Sequence, residues 1–151
     1  MLMSAKRILI VDDDKIAVDA FTRLLNDAGY DILSAADGSD AVSIARHEKP
    51  DLIILDLVFP PDVSHGGGVP WDGFLIMDWL QRQSESKDIP VVVVTAADAD
   101  QNRNRAYAKG AIGFFQKPIN GGELVDLVQK VLGDESHQTT LSVRLPGSNR
   151  Q

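Results

Sequence analysis

At 151 residues, 44% hydrophobic and 25% charged, the chain has the length and balance of one globular domain with a single sizeable core. Its formal charge of −7 argues against direct binding to nucleic acid, which depends on neutralising phosphates with Lys and Arg, and the lack of cysteine excludes disulfides and thiolate metal sites. The opening MLMSAKRILIVDDD breaks into acids after a short apolar run, unlike a secretory leader, and no apolar stretch is long enough for membrane insertion; a cytoplasmic protein is expected.

Short apolar runs then alternate with amphipathic stretches. ILIV at 8–11 predicts a first strand, running straight into Asp12, Asp13 and Asp14. Ala17, Phe21, Leu24, Leu25 and Ala28 recur on one helical stripe, with Asp14 placed to cap its start and Gly29 to stop it. DIL at 31–33 is a second strand, and Ala41, Ile44 and Ala45 begin a second helix that ends before Pro50. LIIL at 52–55 is a third strand, delivering Asp56, and a third helix after Gly73 is expected to bury Leu75, Ile76, Trp79 and Leu80. VVVV at 91–94 leads to Thr95. A fourth helix, roughly Asp100 to Lys109, is mostly polar and closed by Gly110. IGFF at 112–115 leads to Lys117 and Pro118, and a last helix carries Leu124, Leu127, Val128, Val131 and Leu132. Four of the five runs lack in–out alternation and read as strands buried on both faces.

Strand–helix alternation of this kind predicts an α/β doubly wound parallel sheet of five strands with helices on both faces. The working crevice of such a sheet lies at the carboxyl ends of its strands. Four strand ends here deliver Asp12 with its neighbours, Asp56, Thr95 and Lys117 to that edge. Two carboxylates a few ångströms apart repel by about 4 kcal/mol at an effective dielectric near 20, and a divalent cation among them removes that repulsion. Oxygen donors without His or Cys select a hard ion, of which Mg2+ suits a cytosol. A carboxylate beside such an ion can act as nucleophile toward a phosphoryl group, whose oxygens an ammonium and a hydroxyl would neutralise or hydrogen-bond.

The stretches ILIVDDD, PDLIILDLVFP, VVVVTA and GAIGFFQKP, taken in order, resemble the receiver domain of bacterial two-component response regulators from about Lys6 to Gly133. The resemblance implies a flavodoxin-like sheet of order 2-1-3-4-5. It implies Asp56 as phospho-acceptor, and Mg2+ held by Asp12, Asp13, Asp56 and the backbone carbonyl of Val58. Thr95 and Lys117 would contact the phosphoryl group, with the Lys117–Pro118 peptide cis. Phe114 stands where relatives carry an aromatic that rotates on phosphorylation; it reads equally well as a core residue, and it lacks the hydroxyl of a tyrosine. The implied partners are a histidine kinase or histidine phosphotransferase and a downstream protein target. A homodimer through the helix 4–strand 5–helix 5 surface is a further form the resemblance allows, and Arg103, Arg105 and Tyr107 on the fourth helix could meet such partners or form a solvated face.

The stretch FPPDVSHGGGVPWDG departs from the pattern, with twelve residues between Pro60 and Gly73 where relatives have about three. It reads as an insertion at 60–73 within a receiver domain of residues 1–133, either covering the phosphorylation edge or decorating it. Asp62, His65 and Asp72 are within reach of the edge by sequence, and Trp71 is expected to anchor the far end. Residues 134–151 read as a polar tail, disordered or, through Leu141, Val143 and Leu145, an arm that pairs with a partner. With no further domain expected after Gly133, a stand-alone switch is the reading, not an enzyme beyond self-phosphorylation and autodephosphorylation. Three alternatives remain open to the sequence. A haloacid dehalogenase-type phosphatase would use the D-x-D from Asp12 to Asp14, a flavodoxin-like module would bind FMN, and a pseudo-receiver would work without phosphorylation.

Overall fold

The computed structural model describes residues 5–59 and 72–133. The expectations for Asp62, His65 and Trp71 of the insertion, and for the tail at 134–151, lie outside the described residues. In chain order the elements are β1 (Arg7–Val11), α1 (Lys15–Asp27), β2 (Asp31–Ala35), α2 (Gly38–Glu48), β3 (Leu52–Leu55), α3 (Gly73–Arg82), β4 (Val91–Thr95), α4 (Ala99–Ala108), β5 (Gly113–Gln116) and α5 (Gly121–Leu132). The strands form one parallel sheet of order β2-β1-β3-β4-β5.

Successive side chains on a strand point to opposite faces, so runs of unbroken Ile, Leu and Val feed two cores at once. Leu9, Val11, Ile53, Leu55, Val91 and Val93 pack with α2, α3 and α4 on one face. Ile8, Ile10, Leu52, Ile54, Val92 and Val94 pack with α1 and α5 on the other. Each helix starts on an Asx side chain that accepts an otherwise unpaired amide: Asp14 from Ile16, Asp37 from Asp40, Asp72 from Leu75, Asp98 from Asp100 and Asn120 from Glu123. Gly29 and Gly110, just past α1 and α4, take φ of 102° and 103°, which a side chain would resist. Lys49 adopts the left-handed conformation at the end of α2.

Three expectations are corrected. Trp79 does not join the core: it is 43% exposed with the Arg82 guanidinium over its ring, and the buried stripe of α3 is Gly73, Phe74, Ile76, Met77 and Leu80. The segment FLIMDWL is apolar on almost every side, so periodicity alone cannot set its rotation; the packing of Gly73 against Asp56 and Leu57, just past β3, does. The IGFF strand starts one residue later than its apolar run. Ile112 is exposed and β5 is only half buried, because it is an edge strand. The second strand runs two residues beyond DIL, through Ser34 and Ala35, because Ile10 and Val11 of β1 offer them parallel neighbours.

Candidate functional site

Register brings the candidate residues together. Val11 lies beside Leu55 and Leu55 beside Val93, so the next residues of β1 and β3, Asp12 and Asp56, emerge side by side, with Thr95 at the end of β4. The Asp56 amide donates to the Val11 carbonyl at 3.0 Å, and the Lys117 amide to the Thr95 carbonyl at 2.7 Å. The chain thus holds each of these side chains by its own backbone at a strand end, on buried strands for Asp12, Asp56 and Thr95 and on the half-buried β5 for Lys117.

Asp56 is buried and both of its oxygens are engaged. One accepts from the Thr95 hydroxyl at 2.7 Å and from the Val58 amide at 3.2 Å; the other faces the Lys117 ammonium at 3.3 Å. Lys117 sits closer to Asp12, at 2.7 Å, and the other Asp12 oxygen accepts from the Asp14 amide at 2.9 Å. Thr95 is fully buried and its hydroxyl also accepts from the Ala97 amide at 3.2 Å. Asp13 is exposed at the mouth of the cleft.

One oxygen each from Asp12, Asp13 and Asp56 lie within 4.8 Å of one another. At that separation or less each pair of charges repels by at least about 3.5 kcal/mol at a dielectric near 20. Burial pushes the Asp12 carboxyl above its ordinary range, helped by the neighbouring Asp56 charge, although Lys117 and the Asp14 amide pull it down. An isolated ion pair would lower the acid instead; here one ammonium serves two carboxylates and cannot neutralise both. Burial also acts to lower Lys117, but Asp12 and Asp56 together outweigh it and hold the ammonium above its ordinary range. The cluster is therefore short of positive charge. Three oxygen donors this close, with no nitrogen or sulfur ligand among them, fit a hard divalent cation.

The other candidates fall as follows. The Lys117–Pro118 peptide is cis. Val58 turns its side chain outward and its amide toward Asp56. Phe114, 8% exposed, is packed in the α2–α3–α4 core, and the Arg103 guanidinium carbon lies 5.5 Å from its ring centre. Asp14 is not part of the acidic group: its carboxylate caps α1 by accepting from the Ile16 amide at 3.0 Å, which removes the second acid of the D-x-D string from the cleft. Asp72 is likewise turned to the Leu75 amide at the start of α3, at 2.8 Å.

Gly73 is the residue that sequence reasoning passed over as a mere helix start. A Cβ there would lie 2.5 Å from the Asp56 carbonyl oxygen and 2.7 Å from the Leu57 Cα, and its amide donates to the Leu57 carbonyl at 3.0 Å. Its position at the far end of a long insertion, as the first residue of an apolar helix, is the signal available.

Residues 8–129 match the response regulator receiver domain family. The polar-differentiation response regulator DivK of Brucella anthropi is 30% identical over 129 residues, which cover 85% of this chain and 98% of DivK. Protein PilH of Pseudomonas aeruginosa is 33% identical over 126 residues, covering 83% of this chain and 97% of PilH. Among solved structures, the receiver domain of the sensor histidine kinase PA1611 of Pseudomonas aeruginosa, with magnesium coordinated in its active-site cleft, superposes with a TM-score of 0.73 at 25% identity, covering 87% of this chain and all of that one. A carboxylate cluster, a hydroxyl and an ammonium at one sheet edge are what accepting a phosphoryl group requires, and this chain belongs to the response regulator receiver domain family, whose members are phospho-accepting signalling switches.

Proposed function

We propose that Asp56 is the phospho-acceptor and that Asp12, Asp13 and Asp56, with the Val58 carbonyl, hold Mg2+. The observation that carries this reading is that Thr95 and Lys117, from two other strand ends, meet opposite oxygens of the Asp56 carboxylate. The donor is a phosphohistidine of a histidine kinase or histidine phosphotransferase. A carboxylate oxygen of Asp56 forms the new O–P bond, the P–N bond breaks, and the imidazole leaves with the electron pair. Bound Mg2+ supplies charge neutralisation for the acids and the incoming phosphoryl oxygens. Lys117 holds a second positive charge at the carboxylate, and Thr95 carries a proton that can be redirected from the carboxylate to a phosphoryl oxygen.

The family's role supports signalling by protein contact, to a downstream target or onward to a further histidine, in the cytoplasm. We further take residues 1–133 as the receiver domain, 60–73 as its insertion and 134–151 as a tail outside it. The decisive experiment is incubation with Mg2+ and acetyl phosphate, read by intact mass. Wild type should gain one base-labile phosphoryl group and Asp56→Asn none; an equal adduct on Asp56→Asn defeats the assignment. Deleting residues 63–70 and timing loss of the adduct tests whether the insertion sets phosphoryl lifetime.

A further inference from the structure

The mostly polar α4 buries only two small side chains, Ala99 and Ala106, so little hydrophobic area fixes its place. Beyond its packing on β5, its side-chain contacts with α3 come from charged residues. The Arg105 guanidinium carbon lies 4.0 Å from the centre of the buried Phe74 ring, close enough to stack. One turn further on, the Lys109 ammonium meets Asp78 at 2.7 Å, and the Lys109 carbonyl accepts from the Gln81 side chain. Phe74, Asp78 and Gln81 are spaced along one stripe of α3, facing Arg105 on α4 and Lys109 at its C-cap.

The two helices are tied differently to the acidic edge. α3 is pinned: Gly73, the residue before Phe74, touches the backbone of Asp56 and Leu57 with no room for a Cβ. α4 instead follows Thr95 by a short connection, and the Thr95 hydroxyl holds both the Asp56 carboxylate and the Ala97 amide in that connection. A hydroxyl redirected to a phosphoryl oxygen would pull on α4, while the Gly73 contact keeps α3 in place. The mismatch would fall on the contacts between them, among which Arg105 on Phe74 lies nearer the edge than Lys109 on Asp78.

We propose that Arg105 is a positioning residue that, stacked on Phe74, ties α4 to α3 and holds α4 in the arrangement of the unloaded site. This rests on Asp56 being the acceptor. A contact made better in the unloaded state opposes loading by its differential strength, and its removal favours loading by the same factor. A guanidinium–ring contact at a surface corresponds to roughly a two- to fivefold effect.

The test is a titration of the full chain with beryllofluoride, a phosphoryl mimic, in excess Mg2+, followed by hydrogen exchange of amides 99–109. In Arg105→Ala these amides should exchange faster before any beryllofluoride is added, and half-saturation should fall by roughly two- to fivefold. Arg105→Lys, which keeps the charge but loses the planar stack, should lie between. Phe74→Leu should shift half-saturation in the same direction, and adding Arg105→Ala to it should change little more. Faster exchange with unchanged or weaker beryllofluoride binding overturns the proposal, because a merely structural contact would give that result. Wild type that fails to saturate, or Asp56→Asn that saturates equally well, overturns the acceptor assignment and this inference with it.

Discussion

Thr95 and Asp12 hold opposite positions in the balance of the site. The Thr95 hydroxyl donates to a buried carboxylate at 2.7 Å, a charge-assisted bond whose loss leaves both Asp56 and the Ala97 amide short of a partner. Thr95→Val, close in shape, should lower stability by about 1.5–3 kcal/mol in urea unfolding at neutral pH. It should still accept phosphoryl, because the nucleophile remains, but the exchange response of α4 to beryllofluoride should be lost. Asp12 behaves in the reverse sense. Its carboxyl is raised by burial, so folding favours its protonated form, and the stability this contributes is complete below the ordinary aspartate pKa and lost as pH climbs through the raised one. Asp12→Asn should therefore unfold at a higher temperature than wild type in chelator at pH 7. That advantage should shrink as pH falls and the wild-type acid takes up its own proton. A variant less stable than wild type throughout would mean that the Lys117 bond outweighs burial and the Asp56 charge.

At the scale of elements, the strand ends were readable because the strands themselves were. Branched apolar runs that end on Asp12, Asp56 and Thr95 leave few registers open, and parallel pairing does the rest. The rotation of α3 was not readable. Phe74, Leu75, Ile76 and Met77 are all apolar, and what chooses among them is a backbone contact 17 residues back in the chain, Gly73 against Asp56. Arg103 and Arg105 were hard to place for a related reason: a charged residue on a polar helix reads as solvated, while the rings these two cover sit on other elements. Gly73→Ala tests the close approach directly. Backbone atoms of Asp56 and Leu57 cannot step aside as a side chain could, so the variant should lose about 1–3 kcal/mol of stability and load phosphoryl poorly. Gly29→Ala, with no heavy atom within 4 Å of its added Cβ, is the control for a strained φ alone.

For the molecule as a whole, the acidic group at the sheet edge links cation binding to folding. A ligand that binds only the native state adds stability by mass action, about 2.7 kcal/mol at a free concentration one hundred times its dissociation constant. The thermal midpoint should rise with the logarithm of Mg2+ once that constant is passed, and Asp13→Asn should flatten the rise. Scanning calorimetry across a Mg2+ series in chelexed buffer reads both; a midpoint indifferent to Mg2+ would show that the cluster of Asp12, Asp13 and Asp56 holds no such ion. The sheet also separates two cores, with Phe74, Ala99, Ala106 and Phe114 in one and Phe21, Leu25, Leu124 and Val128 in the other. Every guanidinium clasp on α4 belongs to the first. Outward-facing positions of α1 are thereby separated by the whole sheet from the α3–α4 contacts, and a reporter grafted there would ride on the far side of the wall from them.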